Sequence, residues 1–275
     1  MNKREKLDTF FTYVFLILIA FIFFFPCLWL ILASFSKSGS IYSFKGFFTK
    51  SYSLQTFAKL FTDTRMYNYP RRFFNTLFIA TGSCIIGTFL TIMTAYTMSR
   101  FEFKGRKTIM KSTMVLGMFP SFMGMIAVYL LMTQFGLINH LWGLILIYAA
   151  GAPMGYLTQK GFFDTIPKAI DEAAKIDGAT NFQIFTKINL PLAKPMIVYT
   201  ALTSFTWPWS DFILPKLLLK EKNLYTVAVG LMSLDETQFA RFAAGSVFIA
   251  LPIVVLYFCL VKNMVNGISE GAIKG

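Results

Sequence analysis

Five runs of this chain, residues 9–36, 73–99, 112–159, 195–210 and 242–261, contain no Asp, Glu, Lys or Arg. A helix needs roughly 20 mainly apolar residues to cross about 30 Å of hydrocarbon, so runs like these ask for a membrane. Composition agrees. Hydrophobic residues make up 56% of the chain, charged residues 14%, and Phe occurs 32 times. A soluble domain carries about 25% charged residues, so the polar groups here are too few to cover a water-facing surface. The 112–159 run is long enough for two crossings and has a polar break at Gln134-Phe135-Gly136-Leu137-Ile138-Asn139. Six spans are therefore predicted, near 10–33, 73–98, 109–132, 139–158, 194–213 and 241–262. The fifth has the shortest charge-free part and contains Pro208. Runs this uniformly apolar lack the alternation of barrel strands, leaving an all-α, polytopic membrane protein.

Residues 1–9 form a short amino-terminal segment, and 10–275 a single transmembrane domain. Lys3, Arg4 and Lys6 before an apolar stretch could also head a signal peptide. The apolar core is much longer than the 7–15 residues of a signal, and Ala33-Ser34-Phe35 is a poor cleavage site, which favours a retained anchor. With the amino terminus inside, six crossings return the carboxyl terminus inside. The 100–107 and 159–194 loops then face the cytoplasm. Arg100, Lys104, Arg106 and Lys107 agree with the excess of positive charge on that side. The 34–72 loop, with Lys37, Lys45, Lys50, Lys59, Arg65, Arg71 and Arg72, runs against it. The net charge of +13 fits such a membrane pattern and asks for no nucleic acid.

Several chemistries find no support. Cys27, Cys84 and Cys259 lie apart in apolar runs, unsuited to a disulfide or a metal. His140 is the only histidine. There is no phosphate-binding Gly-rich loop and no nucleophile elbow. No ionisable side chain sits in the middle of a span, where proton-driven carriers generally keep one. Asp211 and Lys111 fall near span ends. The chain reads as a path whose energy comes from elsewhere.

The 164–195 loop carries the strictest local grammar. Pro167 suits a first helical turn. Ile166, Ile170, Ala173 and Ala174 share one face, and Lys168, Asp171, Glu172 and Lys175 are spaced for ion pairs on the other. Gly178 can end that helix in the left-handed conformation. Thr180-Asn181-Phe182-Gln183 reads as a capping box for a second short helix. Phe182 and Phe185 are expected on one side of it, and Asn189-Leu190-Pro191 stops it. Periodicity alone allows either a hairpin lying on the lipid surface or a knob held out for a partner.

Glu172-Ala173-Ala174, then Gly178, then Ile188-Asn189-Leu190-Pro191, resembles the EAA loop of importer-type ABC permeases; Asp177-Gly178-Ala179 and Pro195 fit the fuller pattern. The resemblance extends over nearly the whole chain. Ser99-Arg100-Phe101-Glu102-Phe103-Lys104-Gly105, Trp209-Ser210-Asp211-Phe212 and the terminal Gly267-Ile268-Ser269-Glu270-Gly271 are similar to carbohydrate permeases. Leu217-Leu218-Leu219-Lys220 and Tyr225-Thr226-Val227-Ala228-Val229-Gly230 are similar to the smaller permease of maltose/maltodextrin systems. The 34–72 loop is longer and more basic than that resemblance leads one to expect. The resemblance implies a coupling helix that docks on an ATP-hydrolysing subunit, with Glu172, Ala173, Ala174, Asp177, Gly178, Ala179 and Phe185 at the docking surface. It implies a second homologous permease, two ABC ATPase copies that hold the ATP and Mg, and an extracytoplasmic sugar-binding protein. This chain itself is expected to bind no cofactor or metal and to catalyse no reaction.

Sugar contacts are less determined. Trp207, Trp209, Tyr129, Tyr148 and Phe205 could stack on sugar rings, and Ser204, Asn75 and Gln134 could meet hydroxyls. For Trp207 and Trp209 an aromatic belt at the membrane interface is the favoured account. Pro208 and Pro252 are expected to kink their helices. A permease for a non-sugar solute and a secondary carrier are the remaining function classes.

Overall fold

The protein is described here from a computed structural model, which covers residues 3–37, 39–43, 48–49, 51–63 and 67–272. Fourteen α-helices succeed one another among the described residues: α1 Lys3–Ser34, α2 Gln55–Thr62, α3 Tyr69–Arg100, α4 Arg106–Gly117, α5 Met125–Gln134, α6 Leu141–Gly151, α7 Tyr156–Thr165, α8 Lys168–Ile176, α9 Asn181–Ile184, α10 Leu190–Leu192, α11 Lys194–Ser210, α12 Ile213–Leu218, α13 Val227–Met232 and α14 Phe239–Ala272. Extended pairing among them is limited to an isolated antiparallel bridge between Ser36 and Tyr52.

Three helices, α1, α3 and α14, are long and apolar enough to cross a membrane unbroken. The 112–159 run is less regular than a simple pair of straight rods. Helices α4 and α5 are bent by 95°, and α6 and α7 by 43°. Pro120, which has no N–H to donate, sits in an extended conformation (ψ 127°) at the first break. A 3-10 turn at Ala152–Gly155, which contains Pro153 and follows directly on Gly151, makes the second. Helix α11 is 17 residues long and carries Pro208 inside it, and Pro252 lies inside α14. Helix α1 exposes Phe15, Phe21, Phe23 and Phe24, and none of its most apolar window is buried within the chain. An all-apolar surface of that size suits lipid rather than water.

The chain divides into two compact units. The first comprises residues 1–70 and 230–250. Within it, the Tyr69 hydroxyl donates to the Gly245 carbonyl at 2.8 Å, and Asp63 pairs with Arg241 at 3.1 Å. Gly245 is needed for closeness: a Cβ there would lie 2.5 Å from a Leu231 methyl. The carboxylate of Glu236 accepts a hydrogen bond from Tyr42, tying the start of the 34–72 loop to the residues before α14.

The second unit comprises residues 71–229 and 251–275. One core cluster gathers Ile79, Leu144, Ile145, Leu214, Leu218 and Leu219. Asn139 adopts a left-handed conformation (φ 64°) at the polar break. Its side-chain oxygen accepts from the Lys220 and Glu221 amides at 2.9 and 3.0 Å, and its amide donates to Glu221. The turn before α6 is thereby fastened to the segment after α12. A second core cluster, with Ile92, Tyr96, Tyr156, Phe163, Ile166 and Phe185, lies beneath the 164–195 segment and is the platform on which the candidate site stands.

Candidate functional site

Helix α8 begins after Pro167, whose ψ of 128° leaves it just outside the first turn. It ends where Gly178 takes φ 83°, with the Gly178 amide on the Lys175 carbonyl (3.0 Å) and the Ala179 amide on the Ala174 carbonyl (2.9 Å). A Cβ on Gly178 would meet nothing within 4 Å, so glycine is required there by backbone conformation, not by space. The capping box forms: the Thr180 amide donates to Gln183 Oε1 at 2.8 Å, and the Gln183 amide donates to Thr180 Oγ1 at 3.2 Å. Helix α9 then widens into a π turn over Phe185–Asn189 before α10.

The inner side of this knob is polar. Arg100, the last residue of α3, places Nε 2.8 Å from Asp171 Oδ2. Its Nη2 donates to the Ile166 carbonyl at 3.0 Å and to Asn189 Oδ1 at 3.3 Å. Asn189 Nδ2 closes the ring by donating to Asp171 Oδ1 at 2.8 Å. The Arg100 and Asp171 side chains are only 6% and 10% exposed. A buried ion pair adds little net stability, because desolvation offsets the attraction, yet losing one partner costs about 3–5 kcal/mol. Such a ring fixes one arrangement of α3, α8 and the residues before α11 more than it strengthens the fold. Next to it, Ser99 donates to Asp164 Oδ1 at 2.6 Å.

This corrects the ion pairs expected along α8. Asp171 does not join Lys168 or Lys175 on an outer face; it points inward to Arg100. Reach explains the difference, since the helix-end guanidinium of Arg100 is held still by the Ile166 carbonyl, whereas an exposed i,i+4 pair contributes only about 0.3–0.5 kcal/mol. Phe185 is corrected too. It is 8% exposed, with its ring centroid 4.5 Å from that of Tyr96, so it anchors the knob and is absent from the outer surface. Phe182 is 73% exposed, so the two rings do not share a side. Residues three apart differ by roughly 60° around a helix, and the edge of burial falls in that gap.

The outer face carries exposed apolar side chains among charged ones. Ile170, Ala173 and Phe182 are exposed, and Ile176 is 87% exposed. Glu172, Asp177 and Gly178 are exposed with them, while Ala174 and Ala179 are half-buried. Thus the apolar face predicted for α8 exists, but beyond Ile166 it looks away from the chain.

A cavity of about 640 Å³ opens elsewhere in the same unit. Tyr148, Ser204 and Trp207 line it, together with Gln159, Thr200, Thr203 and Asp211. The Tyr148 hydroxyl donates to Asp211 Oδ2 at 2.8 Å, and Gln159 Nε2 donates to Thr200 Oγ1 at 3.0 Å. Five expected sugar contacts lie outside its lining, Gln134 among them. Trp209 is buried against Phe73 at 5.1 Å, Asn75 donates to the Asn223 and Tyr225 carbonyls, and Tyr129 faces the Lys220 ammonium at 5.5 Å. Phe205 packs on Trp209, also away from the lining. Asp211, Gln159 and Thr200 were not singled out as contacts from sequence. Their one available signal was a polar side chain in or beside an otherwise apolar run.

The family described as binding-protein-dependent transport system inner membrane component matches residues 87–272, which include the knob and every cavity-lining residue but Ser83. The chain belongs to this family. The permease is 36% identical to the maltodextrin transport system permease protein MalD of Streptococcus pneumoniae, over 100% of this chain and 99% of the relative. It is 37% identical to the galactooligosaccharides transport system permease protein GanQ of Bacillus subtilis, with the same two coverages. Its fold matches a chain in the crystal structure of a bacterial ABC transporter involved in import of the acidic polysaccharide alginate, with a TM-score of 0.78. That match is 20% identical and covers 95% of this chain and 98% of the other. It is thus an all-α membrane permease of the ABC-importer type.

Proposed function

We propose that this permease forms half of the path by which an uncharged oligosaccharide of the maltodextrin type enters the cell. The full-length relatives named for maltodextrin and galactooligosaccharides support the carbohydrate reading. The chain sits in the cell membrane with both termini in the cytoplasm, as six crossings require. A second, homologous permease completes the path, and an extracytoplasmic binding protein delivers the sugar. Two copies of an ATPase hold ATP and Mg on the inner side; this chain catalyses no reaction of its own.

The observation that carries the reading is the knob: an exposed apolar tip on a base locked by the Arg100–Asp171–Asn189 ring. A lever must be stiff at its root and bare at its end. Helix α3 runs from Tyr69 to Arg100 without a break, so displacement of α8 by a closing ATPase is delivered directly to a long helix. Two global states, biased by nucleotide and by loaded binding protein, then give alternating access. Trp207, Tyr148 and Ser204 supply a stacking face and polar edges along the path.

Purified importer carrying Glu172→Ala or Gly178→Asp tests the docking role. The variants are expected to insert normally but to retain less ATPase and import less labelled maltodextrin. Full co-purification and full uptake in both would remove the assignment. Uptake of a non-sugar solute instead, with docking intact, would keep the lever and replace the cargo.

A further inference from the structure

The cavity's charge has a consequence for what it can pass, resting on the carbohydrate reading above. Among its lining residues Asp211 is the single charged one. The Asp211 carboxylate accepts from the Tyr148 hydroxyl at 2.8 Å and from the Leu214 amide at 3.3 Å. Both donors are neutral. Among the described residues no Lys or Arg lies within ion-pair distance of it. Hydroxyls of a ligand can still reach the carboxylate's remaining lone pairs.

A second set of atoms points to the same kind of ligand. Ser83 Oγ, Thr91 Oγ1 and Gln159 Oε1 belong to lining residues, are buried, and have no hydrogen-bond partner within the chain. Buried polar atoms are nearly always satisfied, so these three call for water or ligand hydroxyls. Trp207 adds a broad, exposed aromatic face. Hydroxyl-rich and uncharged describes what fits all of these groups. A sugar acid meets the same hydroxyl acceptors but also a like charge at short range.

We infer that Asp211 is the charge-selecting residue of this path, admitting neutral sugars and rejecting those that carry a carboxylate. The mechanism is repulsion in place, without any change of shape. Because a binding protein would impose its own choice, the test uses the assembled permease–ATPase complex without it.

Equilibrium binding of maltotriose is compared with that of the same trisaccharide oxidised to a terminal uronic acid. In the wild type, the neutral sugar is expected to bind at least about tenfold more tightly at low salt. Raising ionic strength to about 0.5 M shortens the screening length to a few ångströms and should narrow that gap severalfold. Asp211→Asn should bring the two affinities within about threefold of each other; Asp211→Glu should keep them apart. Equal affinities in the wild type, or a ratio unmoved by both salt and Asp211→Asn, overturns the inference. The salt arm decides the matter even if the variant does not fold. Binding of neither sugar by the wild type refutes the carbohydrate reading and this inference with it. Binding of both sugars without preference refutes the inference alone.

Discussion

Arg100→Met is the perturbation that reaches furthest into the proposed lever. It removes the Nε contact to Asp171 and the two Nη2 bonds to Ile166 and Asn189, leaving the Asp171 charge buried with only the Asn189 amide on it. Breaking one side of a buried pair costs about 3–5 kcal/mol. At about 1.4 kcal/mol per power of ten, the knob's release from its base becomes roughly 100- to several-thousand-fold more frequent. Asp171→Leu alone should loosen it similarly, by stranding the guanidinium. The double variant removes both charges, so its loss should fall short of the summed single losses by about 2 kcal/mol, within the range of coupled neighbours. The assay is hydrogen exchange across residues 168–190 in the assembled importer, read beside the number of ATP hydrolysed per sugar imported. Faster exchange in each single variant, partial recovery in the double, and a raised ATP-to-sugar ratio are expected. Wild-type exchange in both singles, or strictly additive losses, would refute the idea that this ring stiffens the root of α8.

Three further outcomes follow from the same geometry. Gly178→Asp forces an L side chain into a left-handed residue at a cost of about 1 kcal/mol or more, which should lower ATPase co-purification severalfold while membrane insertion, judged by protease protection, stays normal. Ile176→Asp, at an almost fully exposed site, should leave thermal unfolding within about 0.5 kcal/mol of wild type yet weaken ATPase binding at least tenfold. Gly245→Val drives a branched side chain into Leu231 and Tyr69, so a loss of about 1–3 kcal/mol is expected in thermal stability, with no direct effect on docking.

The apolar runs made the helical character of the fold legible, because a charge-free stretch of that length has few other solutions. What they left out were the bends. Besides the polar break at 134–139, Pro120 and the Ala152–Gly155 turn interrupt the 112–159 run, so that four helices share it. The turn chemistry of the knob was readable residue by residue: Gly178 and the Thr180–Gln183 box act locally, and local rules found them. The Arg100–Asp171–Asn189 ring was not readable, since its members are 71 and 18 positions apart and each has a plausible partner nearer in sequence. For the same reason Phe185 was placed on the wrong side: its burial is decided by Tyr96, on another helix. Among the aromatic residues weighed as sugar contacts, composition could not separate Trp207, which lines the cavity, from Trp209, which fills a core two residues away. The terminal segment from Gly267 is helical to Ala272, and residues 273–275 lie outside the described residues.

The most direct test of the lever is a cysteine at Ala173, on the exposed face of α8, placed in the assembled importer with the native Cys27, Cys84 and Cys259 replaced. Oxidative crosslinking against single cysteines on the ATPase should yield one permease–ATPase adduct, and locking the adduct should stop sugar import while the permease remains folded in the membrane. A permease that forms no adduct at any ATPase position, and that accumulates sugar in vesicles lacking the ATPase, would contradict the account.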